Sequence, residues 1–214
     1  MKILNSLWGA VLLLVCTGCI RTPYRTALLG EPIVNFDPTS VSEINEITLI
    51  SQICGRLVTV DEFLNVDGDL AENWTIGPDR KSYVFRLRGD RAYNDGSIVT
   101  AQDVLYSFRR LAERKGSIAA EWVSEVASID APSINTVTLT LKAGDPRFLF
   151  KLSHPRFCVL KDGAPFIKVG SLSVPNSSGP YRLESYEPTR VEYSLRVTDS
   201  FRSRAIEPNI SVRF

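Results

Sequence analysis

Few side chains in this 214-residue sequence have both the type and the spacing to do chemistry. The single histidine, His154, stands between Ser153 and Pro155 with no second histidine or cysteine at ligand spacing, so its type points to a helix cap rather than a metal ligand. A nucleophile elbow of the form Gly-x-Ser-x-Gly, a glycine-rich phosphate loop and a His-Glu-x-x-His helix are all missing. Carboxylates do cluster beside glycines, at Asp67, Asp69 and Asp95. In such contexts aspartate is favoured because its side chain hydrogen-bonds the backbone of the turn. The stretch Asp67–Glu72 lacks the later oxygen ligands and the distal glutamate of a calcium loop. These residues predict neither an enzyme nor a bound cofactor or metal.

The bulk properties agree. Lysine plus arginine number 25 and aspartate plus glutamate 24, with no block of either sign. A dedicated nucleic-acid binder shows a basic excess, and a single-strand platform interleaves aromatics with basic runs; neither pattern is present, so no nucleic acid is expected. Apolar residues make up 44% of the chain, enough for a packed core.

The amino terminus stands apart. One positive charge at Lys2 precedes an apolar run, Leu7–Val15, which is too short to span a bilayer but has the length of a signal-peptide core. Cys16-Thr17-Gly18-Cys19 then resembles a bacterial lipobox, with Cys19 as the residue that would carry lipid. The expected mature protein is exported and tethered to the membrane through that anchor, in the periplasm or on the outer side of the inner membrane. Cys54 and Cys158 remain in the body of the chain. They are able to pair in an oxidising compartment, but two cysteines so far apart make no disulfide framework, and two separate buried thiols are expected.

Periodicity supplies the elements. Ser40 and Glu43 fit a capping box, with Ile44, Ile47 and Ile50 at near-helical spacing, predicting a helix over about 41–56. A strand, an Asp67-Gly68 turn and a connection to Trp74 are expected next. Tyr83, Phe85 and Leu87 alternate with polar residues as in a half-buried strand. Thr100 and Asp103 make a second capping box, followed by an apolar face of Val104, Leu105, Phe108 and Leu111, with Arg109, Arg110, Glu113 and Arg114 in solvent. Val137, Leu139 and Leu141 mark another alternating strand, Asp145-Pro146 a helix start, and His154-Pro155 its end. Two strands around Glu187-Pro188, and a third from Asn209, close the pattern. The fold class predicted is α/β in the broad sense, a mixed α+β chain with segregated hairpins.

Several of these motifs, in order, resemble one family. Leu70–Trp74, Phe85–Arg88 and Asp95–Ser107 are similar to the Leu-Ala-Glu-Ser-Trp, Phe-x-Leu-Arg and Asp-Gly-x-x-x-Thr-Ala-x-Asp-Val-x-Tyr-Ser motifs of the extracytoplasmic solute-binding proteins, family 5. These are the oligopeptide-, dipeptide- and nickel-binding lipoproteins of ABC importers. Pro146–Pro155 looks closest to the oligopeptide branch, and Ser177–Pro188 resembles the family's Gly-Pro-Tyr-x-Leu hairpin.

The resemblance implies a type II periplasmic-binding-protein fold, truncated before the lobe that closes on the ligand. Its parts would be a signal peptide (1–18), a tether and first part of lobe I (19–44), lobe II (45–160) and a second part of lobe I (161–214). It implies oligopeptides as ligands and an ABC permease as partner, with a separately encoded carboxy-terminal half to complete the receptor; the alternative is a non-transport interaction module or decayed remnant keeping the receptor fold. The segment after Asp37-Pro38, here Ser42, Glu43 and Ile44, is where the family pairs its backbone with peptide, although periodicity alone starts a helix there. A pocket-lining tyrosine of the family falls on Ile118. Labelling with a palmitate analogue in the exporting cell is expected to depend on Cys19 and to vanish in Cys19→Ser; unchanged incorporation would contradict the lipobox reading.

Overall fold

The structure is a computed structural model that describes residues 25–28, 32–33, 35–201 and 209–213; the leader and Cys19 lie outside them. Its strands form two four-stranded sheets and two small hairpins among the described residues.

The first sheet has the order β4-β5-β7-β6 and is antiparallel throughout. β4 is Ala71–Ile76, β5 Ser82–Leu87, β6 Val126–Ser133 and β7 Thr136–Leu141. β5 alternates as its sequence predicts: Tyr83, Phe85 and Leu87 are buried and Ser82, Val84 and Arg86 are exposed. Its register places Phe85 opposite Val137 and Tyr83 opposite Leu139, so the apolar faces of β5 and β7 form one surface. Helix α2, Ala101–Glu113, covers that surface with Val104, Phe108 and Leu111. Thr100 caps it as expected, with its amide and hydroxyl both donating to Asp103 Oδ2 at 2.8 Å. Two further helices complete this core, α3 (Ile118–Ser124) and α4 (Phe148–Leu152).

The second sheet has the order β1-β12-β11-β10. β10 (Tyr181–Glu187) and β11 (Glu192–Val197) form the hairpin expected around Glu187-Pro188. β12 (Asn209–Arg213) adds antiparallel to β11, and β1 (Arg25–Leu28) adds parallel to β12, so the two ends of the described chain meet in one sheet. Helix α1, Ile44–Ile53, buries Leu49, Ile50 and Ile53 against this sheet. The hydroxyl of Tyr193 donates to the Ile33 carbonyl at 2.6 Å and accepts from the Ile33 amide at 2.9 Å, fixing the early flank to β11.

Two hydrophobic cores result. One runs from Leu57 to Val159; the other gathers Ile33–Cys54 and Cys158–Val212. The chain passes between them at two places, around 54–57 and 158–160, and there the expectation of separate thiols fails. Cys54 and Cys158 form a disulfide that spans 104 residues of sequence, with Cα atoms 5.3 Å apart. The Val159 amide also donates to the Gly55 carbonyl at 2.9 Å, so the two crossings run side by side. Sequence separation hid the pairing because the whole first core lies between the cysteines. The hairpin that opens Ser178-Gly179-Pro180 presses on the same point. The Gly179 amide donates to the Ile53 carbonyl at 2.9 Å, and a Cβ on Gly179 would stand 2.2 Å from the Ile53 carbonyl carbon. Only glycine permits that approach.

Other expectations shift. α1 begins at Ile44, not near Val41, because the Asp37 carbonyl takes the Ser40 and Val41 amides in a turn and Glu46, not Glu43, accepts from the amides ahead of the helix. The turn expected at Asp67-Gly68 lies earlier. Asp61 accepts from the Phe63 and Asn65 amides between β2 (Val58–Val60) and β3 (Val66–Gly68), and Gly68 stays in the strand. A short hairpin, β8 (Ile167–Val169) with β9 (Leu172–Val174), interrupts the loop expected at Lys161–Gly179. Asp145 caps the approach to α4 by accepting from the Arg147 amide, and the helix proper starts at Phe148.

Closing a loop of 104 residues restricts the unfolded chain strongly. Replacing both cysteines by alanine is expected to lower stability by about 2–4 kcal/mol. Urea unfolding of the oxidised protein and of the double variant measures this; a loss below about 1 kcal/mol would show that packing alone holds the crossings.

Candidate functional site

Sequence pointed to Ser42, Glu43, Ile44 and Ile118, and the structure brings two of these to one place. A cleft of about 500 Å³ lies between Thr39–Ser42 on one side and Glu113–Ile118 on the other, with Arg156 also among its lining residues. Ser42 and Ile118 face it from opposite walls. Glu43 and Ile44 do not line it: Glu43 is the residue ahead of α1, and Ile44, 72% exposed, opens the helix.

The near wall is an aspartate-centred turn. Asp37 Oδ1 accepts from the Thr39 amide at 3.0 Å and the Thr39 hydroxyl at 2.9 Å, while its main-chain carbonyl accepts from Ser40 and Val41. Two arginines beyond the first crossing hold this turn. Arg110 Nη2 meets Asp37 Oδ2 at 2.8 Å, so Arg110 is not the solvent-facing residue its helical position suggested. Arg156 donates through Nε and Nη2 to the Val41 carbonyl at 3.0 and 2.6 Å. Beyond Val41, the Ser42 and Glu43 amides both point to Glu46 Oε2, at 3.0 and 3.4 Å. Those amides are therefore spent on the helix start. The helix expected from periodicity is present, beginning at Ile44 with Glu43 ahead of it.

The far wall grows out of α2. Its last turn leads to Gly116, which takes a φ of +79° to turn the chain, and Ser117 then caps α3 by accepting from the Ala120 amide at 3.1 Å. Ile118 follows, 42% exposed, on the first turn of α3. α2 carries the far wall at its end and Arg110 one turn earlier, so both walls are referenced to the same rigid helix. More distant ties seat that helix on the second core. Asp103 Oδ1 accepts from the Asp162 amide at 2.9 Å, and the Ser107 hydroxyl accepts from the Leu160 amide at 2.8 Å. Arg91 reaches the other end of the second core, its guanidinium 3.9 Å from the centre of the Phe201 ring.

The cleft holds hydrogen-bonding groups of both kinds and three cations (Arg114, Lys115, Arg156) against one carboxylate (Glu113). The Ser42 hydroxyl donates to Glu43 Oε1 at 3.4 Å, and no histidine or cysteine is among the lining residues. His154 sits nearby, but its Nδ1 accepts from the Arg156 amide at 3.2 Å and its ring meets Trp122 edge-on. Burial, with the Arg156 and Arg56 charges, pushes its pKa below the ordinary value, so it acts as a neutral cap. Among the described residues no cluster of three or more His, Cys, Asp or Glu is placed to hold a metal. A second groove of about 480 Å³ runs between α2 and β6, but it is mainly apolar and touches none of the four sequence-predicted residues.

Sequence reasoning missed Arg156 and the loop Glu113–Ser117. The loop carried a readable signal, since Gly116-Ser117 ends one helix and begins another. Arg156 carried none, because its partner is a main-chain carbonyl 115 residues away.

Asp37→Ala and Arg110→Ala are expected to couple by about 1 kcal/mol in a double-mutant cycle, as for a half-buried charge pair, and each is expected to speed amide exchange at Thr39–Val41. Strict additivity with unchanged exchange would show that the pair does not hold the wall.

Known proteins are similar to this chain in sequence and fold. The "Probable D,D-dipeptide-binding periplasmic protein DdpA" of Escherichia coli is 35% identical over 129 residues, which cover 58% of this chain and 25% of that protein. The Escherichia coli murein tripeptide binding protein MppA superposes with a TM-score of 0.78 at 18% identity, over 89% of this chain and 41% of that one. Haemophilus influenzae OppA, in complex with the peptide RPPGFSPFR, does so with 0.77 at 19% identity, over 88% and 42%. At these identities the solved structures speak to the fold alone, which is that of the type II periplasmic binding proteins. The chain spans about a quarter of the length of the curated relative and about two-fifths of the solved ones. The model of the bacterial extracellular solute-binding proteins, family 5 (Middle), matches residues 65–202, more than half of the chain, and it is to this family that the protein belongs.

Proposed function

We propose that this protein is the peptide-binding component of an ABC importer, and that the cleft between Thr39–Ser42 and Glu113–Ile118 is its part of the ligand site. The observation that carries the reading is the meeting of Ser42 and Ile118 across one polar cleft, although they stand 76 positions apart in the chain. Sequence relatives named for D,D-dipeptides and oligopeptides support the ligand class. In this reading the two cores are lobes, lobe II over 45–160 and lobe I from the flanks 19–44 and 161–214, except that α1 packs in the lobe I core, so the boundary expected at residue 45 moves to the first crossing near 54–57. The protein works in the periplasm, tethered by lipid on Cys19, and hands its ligand to a permease.

Receptors that close by a hinge enclose the ligand between walls on separate lobes, and affinity comes from covering most of its surface. The cleft described here is open on one side. The remainder of such a receptor, as part of the same polypeptide or separately encoded, supplies the closing wall. A wall covering roughly 150 Å² of apolar ligand surface is worth about 4 kcal/mol, or about a thousandfold in affinity. Ile118 offers no hydroxyl where the family has a tyrosine, which acts in the same direction.

The 214-residue chain, prepared without its leader and Cys19, is therefore expected to bind tri- to pentapeptides only in the millimolar range by calorimetry. Dissociation constants at or below about 1 μM would mean that these two walls are a complete site. Absence of binding even at tens of millimolar, together with no capture of a permease, would favour an interaction module that keeps only the fold.

A further inference from the structure

Arg156 is a half-buried cation with no anionic partner among the described residues. Its hydrogen bonds as a guanidinium go to one neutral acceptor, the Val41 carbonyl, through Nε and Nη2. None of the ion pairs among the described residues includes it. Among the described residues no hydrogen bond is made by Nη1, and Arg156 lines the cleft. A guanidinium presents two faces able to grip a carboxylate with paired N–H groups. The Nε–Nη2 edge is already occupied and orients the group; the Nη1–Nη2 end remains. The protein contrasts this with Arg110, which stands against the same turn and is matched to Asp37. Around the cleft, Arg114 and Lys115 add positive potential, opposed by Glu113 alone among the lining residues.

We propose that the cleft takes a carboxylate and that Arg156 is the residue that receives it, end-on through Nη1 and Nη2. This deepens the peptide reading and rests on it only for the source of the anion, which is either the free carboxy terminus of a short peptide or an acidic side chain. Val41 serves as the fixed counterpart that holds the guanidinium plane, so a ligand pays little to orient it.

The test uses the mature chain, isotope-labelled, with the amides of residues 39–42 and 113–118 and the Arg156 Nε–H followed by NMR. Three probes separate the sources: Ala-Ala-Ala, its carboxamide, and the carboxamide of Ala-Glu-Ala. Arg156 and the cleft amides are expected to shift with Ala-Ala-Ala or Ala-Glu-Ala amide at least about tenfold more tightly than with Ala-Ala-Ala amide. Arg156→Gln is expected to remove that preference while Arg156→Lys keeps part of it, and hydrogen exchange at 39–42 in each variant reports whether the near wall stays in place. A lost preference with the wall intact supports a ligand contact; a loss that appears only when 39–42 loosens overturns it in favour of mere positioning. Equal affinity for acid and amide forms also overturns it. If no peptide binds but succinate shifts the Arg156 Nε–H saturably, the carboxylate site stands and the peptide reading falls. If succinate fails as well, the proposal is wrong.

Discussion

Everything in this structure turns on the double crossing between the two cores. The chain goes over once near Gly55 and returns once near Val159, and at that place a disulfide, a backbone hydrogen bond and the close approach of Gly179 come together. Two cores joined by one strand of chain would pivot freely. Joined by two adjacent strands that are themselves cross-linked, they lose most of that freedom, and the remaining relative motion is opposed by ties on either side: Arg110 with Asp37, Arg156 with Val41, Arg91 with Phe201. The walls of the cleft belong to different cores, so its width is set by this arrangement and not by either core alone.

The electrostatics follow from the same layout. Surface ion pairs contribute little, and pairs such as Arg86 with Glu72, both well exposed, are of that kind. At the core boundary the half-buried Arg156 has a main-chain carbonyl as its partner, whereas Arg110 meets the Asp37 carboxylate. Lys151 shows the opposite solution inside the first core, enclosed by Asp145 and Glu125. The contrast separates charges that finish their business within the fold from those that leave capacity for a ligand.

How much of this was legible in the sequence depended on distance along the chain. The Thr100–Asp103 box, the alternation in β5 and β7 and the hairpin at Glu187-Pro188 are local, and local pattern found them. The near end of α1 was misplaced because Ser40 and Glu43 satisfied the same rule that Glu43 and Glu46 in fact obey three residues later. α3 and β6 went unread: α3 is seven residues long, and β6 has register shifts that blur its alternation. The disulfide and both arginine ties join residues 73 to 115 positions apart, where no periodicity reaches. Of the residues carried over by resemblance, Ser42 and Ile118 line the cleft, Ser42 just ahead of α1 and Ile118 as the first residue of α3. Glu43 and Ile44 do not line the cleft, because Glu43 is the residue ahead of α1 and Ile44 opens it.

The central claim is that ligand enters between the two cores and not along the apolar groove on α2. Photo-crosslinking with a tripeptide that bears a benzophenone, followed by peptide mapping, decides it directly. Adducts concentrated in residues 39–42 and 113–118 are the predicted result. Adducts concentrated at Leu105, Val123 or Val126–Ile129, which line the other groove, would contradict the account.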